Sequence, residues 1–347
     1  MRVLVTGHNG YVGTILVPML VDAGHDVVGL DTNLYEGSTF GENNETKDVP
    51  FIFKDVRDVD IEDVDGFDAI LHLAGLSNDP LGDLNPDLTY EINYKASVRL
   101  AELAKQAGVE RFIFSSSCSN YGAGVQDWLD EESAFNPVTP YGYSKVYVEQ
   151  DVAKLADDNF HPTFLRSSTA YGVSPRLRFD LVLNNLTAWA FTTGLVYLKS
   201  DGTPWRPIVH VEDMSLAFVA ALHAPIEKIH NEAFNVGRPE ENYRISELAE
   251  IVAETVPGSR IEYAEGASPD KRNYRVNSSK IARELSEYKP KWDARMGAQE
   301  LYEAYQRVGL KLEDFEGPRY RRIHHIKKLM AEGRLDDELR WTAPELA

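Results

Sequence analysis

The sequence has few cysteines, few basic residues and no long apolar run, and each shortage excludes a class of protein. Cys118 is the only cysteine among 347 residues, so no disulfide can form within the chain and a reducing, cytoplasmic compartment is expected. The 36 lysines and arginines are outnumbered by 55 aspartates and glutamates, which gives a net charge of −19. A field of that sign repels nucleic acid and anionic membrane surfaces, so neither is expected as a partner.

Membrane and metal signals are also missing. No apolar run approaches the roughly 20 residues of a membrane-spanning helix, and the apolar stretch in MRVLVTG is too short for a signal peptide. The nine histidines have no metal-ligand spacing beyond the adjacent pair His324 and His325. We therefore expect no membrane association and no metal site.

Short apolar segments alternate with helical patterns through the first half of the chain. The strands are predicted at 1–6, 26–30, 69–73, 111–114 and 163–166, and the helices at about 10–23, 86–107 and 141–156. This alternation predicts an α/β fold, a Rossmann-type doubly wound parallel sheet. The pattern becomes irregular after Tyr171, although 245–255 reads as a clear helix.

A glycine-rich turn lies between the first predicted strand and the first predicted helix. Gly7, Gly10 and Gly13 form a G-x-x-G-x-x-G pattern there. Glycine allows the backbone to approach a diphosphate closely, and the following helix N-terminus offers free N–H groups. The turn therefore predicts a dinucleotide site, whose contacts would also include Asn9, Tyr11 and Val12.

Two acidic positions refine this site. Asp31 ends the second predicted strand, where a carboxylate accepts hydrogen bonds from the adenosine ribose hydroxyls and repels a 2′-phosphate. NAD is therefore predicted as the cofactor rather than NADP. Asp55 and Val56 follow a short strand and are predicted to hold the adenine edge.

The segment Tyr141-Gly142-Tyr143-Ser144-Lys145 carries a reactive pair. Tyr141 and Lys145 are four residues apart and share one face of a helix. A free phenol ionises near pH 10, and a neighbouring ammonium favours the phenolate, so Tyr141 is predicted to act as a base. Lys145 is also expected to bind the nicotinamide ribose.

A serine cluster lies upstream of this pair. Ser115, Ser116 and Ser117 end a buried strand, where hydroxyls are poor core material but suit the ligand-binding edge of a parallel sheet. Ser117 is predicted to hydrogen-bond the substrate oxygen that Tyr141 deprotonates.

Together these motifs resemble the NAD-dependent epimerase/dehydratase family of extended short-chain dehydrogenases/reductases, whose members include UDP-galactose 4-epimerase. The resemblance covers about residues 1–290 and includes DVRD at 55–58, LHLAG at 71–75, NNL at 184–186 and RPIVHVED at 206–213. It implies further cofactor contacts from Leu73, Ala74, Gly75, Asn93 and Ser115. It implies substrate contacts from Ser77, Ser117, Ser119, Asn120, Thr169, Asn185, Arg206, Asp270 and Arg272. Asn185 and Arg206 would bind the nucleotide diphosphate. Arg206 suits this role because its guanidinium group can donate two hydrogen bonds to one phosphate.

The chain departs from the family pattern beside Ser117. In the 4,6-dehydratases an Asp-Glu pair follows the active serine or threonine, whereas Cys118 and Ser119 stand here. Neither side chain easily replaces a carboxylic acid that assists water loss. Cys118 is also one position away from the catalytic cysteine of the 3,5-epimerases, so we interpret it as structural.

These observations favour an NAD-dependent nucleotide-sugar epimerase, acting at C4 of a UDP- or dTDP-hexose. A ketoreductase or dehydrogenase with net redox change is the alternative, and a non-catalytic NAD-binding regulatory protein is a third possibility. We expect an NAD-binding domain over 1–170, to which segments near 205–240 return, a substrate lobe over 171–310 and a charged helical extension over 311–347. A homodimer is expected, paired through helices that carry Val98, Leu100, Leu103, Val146, Val148, Val152 and Leu155.

Overall fold

A seven-stranded, wholly parallel sheet lies at the centre of the computed structural model, which describes residues 1–41, 48–77, 85–122, 127–266 and 273–343. The strands are β1 (Arg2–Thr6), β2 (Asp26–Asp31), β3 (Phe51–Phe53), β4 (Ala69–His72), β5 (Arg111–Ser117), β6 (His161–Ser167), β7 (Thr169–Tyr171), β8 (Leu195–Leu198), β9 (Trp205–His210), β10 (Glu232–Val236), β11 (Asn242–Arg244) and β12 (Arg260–Tyr263). The sheet order β10-β6-β5-β4-β1-β2-β3 confirms the predicted Rossmann-type α/β fold.

Helices cover both faces of this sheet. They are α1 (Gly13–Asp22), α2 (Pro86–Thr89), α3 (Ala96–Gln106), α4 (Pro140–Val152), α5 (Val182–Thr193), α6 (Val211–His223), α7 (Ile226–Ile229), α8 (Ile245–Thr255), α9 (Ser279–Glu284), α10 (Ala294–Val308), α11 (Leu312–Glu316) and α12 (Arg322–Ala331). A π-helical turn, Tyr90–Lys95, joins α2 to α3. Within the described ranges, no helix is both long and apolar enough to cross a bilayer.

The order of the strands reverses between β1 and β4. The chain leaves β1 toward β2 and β3 on one side, whereas β4, β5 and β6 continue on the other. Such a reversal opens a crevice beyond the carboxyl ends of the strands, and ligands of doubly wound sheets bind there. Gly7, Asp31, Leu73 and Ser117 lie at these ends, because each stands at or just after the last residue of its strand.

Residues after Tyr171 divide between the sheet and a smaller lobe. Strand β10 pairs with β6 at the edge of the main sheet, and α6 packs on the same face as α1, where Phe218 and Leu16 share one core. The lobe has its own core, which joins Leu183 of α5 to Leu248 of α8 and Leu301 of α10. Two small sheets, β11-β9-β7 and β12-β8, flank it.

The C-terminal segment, which we define as residues 311–343, does not extend into solvent. Ile326 and Leu329 of α12 and Leu335 beyond it are buried in the core beneath the sheet that also contains Leu100 and Phe112. Trp341 donates a hydrogen bond from its indole Nε1 to the Thr32 carbonyl oxygen at 2.7 Å. The segment therefore ends beside the carboxyl end of β2.

Candidate active site

A cavity of about 480 Å³ opens at the strand-order reversal. Eighteen of the residues that the sequence singled out line it: Gly7, Gly10, Tyr11, Val12, Gly13, Asp31, Asp55, Val56, Leu73, Ala74, Gly75, Ser77, Ser115, Ser117, Ser119, Tyr141, Lys145 and Thr169. Most of them lie at or after the ends of strands β1 to β5, Thr169 follows β6, and Tyr141 and Lys145 belong to α4. The fold therefore brings side chains from distant parts of the chain to one cavity.

The glycine turn is tight enough to require glycine. Gly7 has φ +73°, and a Cβ there would lie 2.8 Å from the backbone nitrogen of Ala74. A Cβ on Gly13 would lie 2.4 Å from the carbonyl oxygens of Gly7 and His8. Helix α1 begins at Gly13, three residues later than predicted, because Gly10 still belongs to the turn, where its N–H bonds the Gly7 carbonyl at 3.0 Å. The turn and the N-terminus of α1, over residues 10–13, line the cavity, and the positive end of the helix dipole favours an anion there.

Asp31 lies at the end of β2 with its carboxylate held in place. Its oxygens accept hydrogen bonds from the backbone N–H of Asn9 at 3.1 Å and of Asn33 at 2.9 Å. Asn9 also donates from its side-chain amide to Asn33 Oδ1 at 2.7 Å, so it ties the two turns together and does not line the cavity. A carboxylate fixed at this position suits the hydroxyls of an adenosine ribose.

Asp55 and Val56 line the same cavity as Asp31. Burial disfavours the charge on Asp55, but hydrogen bonds from Arg57, at 2.9 and 2.6 Å, outweigh it and hold the pKa of Asp55 below its usual value. Leu34 and Leu339 add apolar surface here. The region combines an apolar slot with acceptors at its edge, which suits an adenine ring.

Tyr141 and Lys145 meet at the opposite end of the cavity. Thr139 caps α4 by accepting a hydrogen bond from the Gly142 N–H at 3.2 Å, which places Tyr141 in the first turn. Lys145 Nζ lies 5.7 Å from the centre of the Tyr141 ring and donates to the Ser115 carbonyl oxygen at 2.7 Å. Burial lowers the pKa of Lys145 to about 7, so this ammonium exchanges its proton readily near neutral pH.

Ser117 stands beside this pair. Its hydroxyl oxygen accepts a hydrogen bond from the backbone N–H of Ser119 at 3.1 Å and lines the cavity. The hydroxyl proton remains available for a substrate oxygen. The three polar groups thus surround one space, with Ser117 on a strand end and the other two on α4.

A buried polar network lies behind the reactive residues. Arg166 Nη2 and Glu149 Oε2 are 2.7 Å apart, and both side chains are almost fully buried. Glu149 also accepts hydrogen bonds from Ser116 and, at 2.8 Å, from Asn120. Because Glu149 belongs to α4 and Ser116 to β5, the network fixes the helix that carries Tyr141 against the strand that carries Ser117.

Two predicted ligand residues turn away from the cavity. Asn93 is buried, and its amide bonds the backbone N–H and carbonyl of Leu76 at 2.7 and 2.9 Å. Asn120 is buried and directed at Glu149. Cys118 is buried as well, with its thiol donating to the Arg166 carbonyl oxygen at 3.1 Å, and burial raises its pKa. These side chains support the walls of the site.

The residues predicted to grip a substrate diphosphate are placed less centrally. Asn185 donates from its amide to the Phe179 carbonyl oxygen at 2.8 Å. Arg206 is buried, and its Cζ lies 5.9 Å from the ring of Tyr274, which lines the cavity. Asp270 and Arg272 lie outside the described residues.

The structure brings two arginines to the cavity that the sequence did not single out. Arg178 pairs with Asp180 through two hydrogen bonds, at 3.1 and 2.6 Å. Arg322 comes from the C-terminal segment and lies with its Cζ 4.1 Å from the centre of the Tyr35 ring. The RLRFD segment before NNL was the available signal for Arg178, whereas Arg322 stands in a run of charges that reads as a solvated face.

The geometry defines a dinucleotide-binding enzyme with a tyrosine–lysine pair, and the comparisons with known proteins agree. The sequence model of the NAD dependent epimerase/dehydratase family matches residues 3–237, and the chain belongs to this family. The UDP-glucose 4-epimerase of Bacillus subtilis (strain 168) is 27% identical over 328 residues, which is 87% of this chain and 94% of that protein. The UDP-glucose 4-epimerase of Lactobacillus helveticus is 31% identical over 318 residues, covering 84% and 92%.

Solved structures show the same fold. An NAD-dependent NDP-hexosamine 5,6-dehydratase of tunicamycin biosynthesis superposes with a TM-score of 0.78 at 23% identity, over 90% of this chain and 99% of its own. MoeE5, determined with UDP-glucose and NAD, gives a TM-score of 0.76 at 26% identity, over 89% and 100%. The resemblance seen in the sequence is thereby confirmed.

NAD is the cofactor of this protein, as the sequence predicted. The residues present fit it, since the cavity holds a glycine turn that a Cβ would fill, a helix N-terminus and the fixed Asp31 carboxylate. The chain is an NAD-dependent enzyme of the epimerase/dehydratase type.

Proposed function

We propose that the protein is a nucleotide-sugar epimerase that inverts C4 of a UDP- or dTDP-hexose without net oxidation. The observation that carries the proposal is the convergence of Ser117, Tyr141 and Lys145 on the same cavity as the glycine turn. The relatives named above are UDP-glucose 4-epimerases, which supports the same class of substrate.

In the proposed reaction Tyr141 is the acid and base. Its phenolate takes the proton of the C4 hydroxyl, and the phenol later returns a proton to the same oxygen on the inverted sugar. Ser117 holds that oxygen by donating its hydroxyl hydrogen bond. Lys145, 5.7 Å from the Tyr141 ring centre, stabilises the phenolate when it carries a proton. NAD held by the glycine turn and Lys145 would supply the hydride acceptor for C4 and, after the keto sugar turns within the cavity, the hydride donor to its other face.

The carboxylates of the cavity favour epimerisation over dehydration. Among the described residues the cavity is lined by three carboxylates, Asp31, Asp55 and Asp180. Asp31 accepts hydrogen bonds from two backbone N–H groups, Asp55 is paired with Arg57, and Asp180 with Arg178. None of these is placed next to Ser117 in the chain, where a dehydratase carries its acid. Among the described residues of the cavity, removal of water therefore has no carboxylic acid beside Ser117 in the chain to assist it.

A nucleotide-sugar ketoreductase or dehydrogenase is the second candidate, because the same three side chains serve a reaction with net redox change. The two differ in whether hydride leaves the site on a released cofactor. An epimerase needs no added cofactor, whereas a reductase consumes one reduced nicotinamide for each product.

The test is to incubate the protein with UDP- and dTDP-hexoses in deuterated water without added cofactor and to follow the sugars by NMR. We expect a new epimer that carries no deuterium at the inverted carbon, and no product with the Tyr141→Phe protein as control. Deuterium at that carbon would instead indicate enolisation. Turnover that requires stoichiometric NAD or NADH would assign the protein to the redox class.

We further propose a homodimer that pairs through α3 and α4. Of the apolar residues predicted for this interface, Leu100, Val148 and Val152 are buried in the core of the chain. The outer face of α4 instead carries Tyr143 and Tyr147, which are 40% and 38% exposed with ring centres 6.1 Å apart. An exposed aromatic cluster of this kind suits a protein interface. Sedimentation velocity should give the mass of a dimer at micromolar concentration, and a monomer mass would contradict the proposal.

A further inference from the structure

The C-terminal segment (residues 311–343) forms one wall of the cofactor cavity, although it lies beyond the part of the chain that the family model matches. Leu339 and Arg322 both line the cavity. Three contacts attach the segment to the cofactor-binding strands: Trp341 bonds the Thr32 carbonyl, His325 Nε2 lies 2.9 Å from the Leu34 carbonyl oxygen, and Arg340 pairs with Asp58. These contacts hold the C-terminal segment against the residues that follow Asp31 and Asp55.

Arg322 stands in this wall without a carboxylate of its own. Within the described part of the chain no ion pair joins Arg322 to an acid; its side chain hydrogen-bonds Tyr35, and its Nη1 lies 3.5 Å from Ser77 Oγ. Burial lowers the pKa of Arg322, and the charge of Arg178 lowers it further, while Tyr35 and the Asp180 carboxylate act in the opposite direction. Both arginines contact Ser77, and the Asp180 carboxylate that pairs with Arg178 offsets one of their two positive charges. The cluster of Arg178, Asp180 and Arg322 therefore keeps one net positive charge in a partly buried space, which an anion in the cavity would neutralise.

The surroundings identify the anion. Arg178, whose Cζ is 5.9 Å from the Tyr11 ring of the glycine turn, connects Arg322 to the turn where a dinucleotide diphosphate binds. A guanidinium can donate two parallel hydrogen bonds to one phosphate, in addition to those that the backbone N–H groups of the turn offer. In a chain of net charge −19, this cluster with one net positive charge is the local field that an anionic ligand needs.

We propose that Arg322 binds the diphosphate of NAD, so that the C-terminal segment is a part of the cofactor site and retains the cofactor between turnovers. Arg322 donates to the phosphate oxygens from the side opposite the glycine turn, with Arg178 next to it. The proposal depends on NAD binding and is independent of which sugar reaction follows. The diphosphate of a nucleotide sugar has the same chemistry, so the test must separate the two.

The test is calorimetric titration of the nucleotide-free protein and its Arg322→Gln variant with NAD, ADP, adenosine and UDP. Loss of a hydrogen bond to a charged group should weaken NAD and ADP by about 10–100-fold. Adenosine and UDP should bind as in the unchanged protein. Arg322→Lys should recover part of the affinity for NAD and ADP. Lys327→Gln, an exposed change on the same helix, is the matched control and should alter none of the four titrations.

Three results would overturn the proposal. Equal weakening of adenosine and ADP would mean that the substitution displaces the whole wall instead of removing a phosphate contact. Weakening of UDP alone would place the arginine on the substrate diphosphate. Unchanged NAD and ADP affinity would mean that Arg322 binds neither. Because every readout is binding, these results are independent of whether the proposed epimerase reaction is found.

Discussion

Replacing Tyr141 by phenylalanine should lower kcat by about 10²–10⁴-fold, since a positioned acid and base typically contributes that much. The ring remains, so its packing in the first turn of α4 is kept and NAD should bind with nearly unchanged affinity. Only the hydroxyl that is proposed to exchange a proton with the sugar oxygen is lost. The measurement is single-turnover and steady-state kinetics of epimer formation, with NAD binding determined by calorimetry on the same preparation.

The chain offers a matched control two residues further along the helix. Tyr143 is 40% exposed, and Tyr143→Phe removes the same hydroxyl without touching the cavity lining. That variant should retain the kcat of the unchanged protein. A Tyr141→Phe protein with undiminished kcat would show that another group transfers the proton, and the role given to Tyr141 would be wrong.

Replacing Arg166 by methionine should lower the free energy of unfolding by about 3–5 kcal/mol, because it leaves the buried carboxylate of Glu149 without its charged partner. The guanidinium also donates to the Tyr121 hydroxyl at 3.1 Å and to the Glu131 carbonyl at 2.9 Å, so these acceptors lose a partner too. The loss should appear as a lower urea midpoint, with an unchanged dependence on urea, in the cofactor-free protein.

A surface pair provides the comparison. Arg295 and Glu254 are paired and both about 60% exposed, so Arg295→Met should leave the midpoint almost unchanged. Saturating NAD should raise both midpoints, since a ligand that binds only the folded state stabilises it. If Arg166→Met unfolds at the same urea concentration as the unchanged protein, Glu149 is not an uncompensated buried charge in the variant, and the network does not support the site in the way described.

Much of the cavity could be predicted because its residues are marked by local patterns. The glycines of the turn, Asp31 at a strand end and Tyr141 four residues before Lys145 each have a spacing that secondary structure alone turns into a shared position. The strand–helix alternation then places every strand end at the same edge of the sheet. For these residues the sequence already predicted which side chains line the cavity, and the tertiary structure added the distances between them.

Other positions could not be assigned from the pattern. Asn93 and Asn120 have the right residue type and lie in the right segments, yet their amides satisfy Leu76 and Glu149 inside the wall. Which way a buried amide turns depends on the polar groups packed around it, and those groups come from elsewhere in the chain.

The fold class follows from the strand–helix alternation and the cofactor from a turn and a strand end, so both could be predicted from local patterns, as could the proposed Tyr141–Lys145 pair. The return of the C-terminal segment to the cofactor cavity could not, because it brings Arg322 next to Arg178, which is 144 residues earlier in the chain. The charges around Arg322 read as a solvated face. The apolar residues of the same segment, which include Ile326 and Leu329, bury themselves beneath the sheet and carry the arginine inward. The proximity of two residues so far apart in the chain produces no pattern in the sequence, because it depends on which distant surfaces pack together.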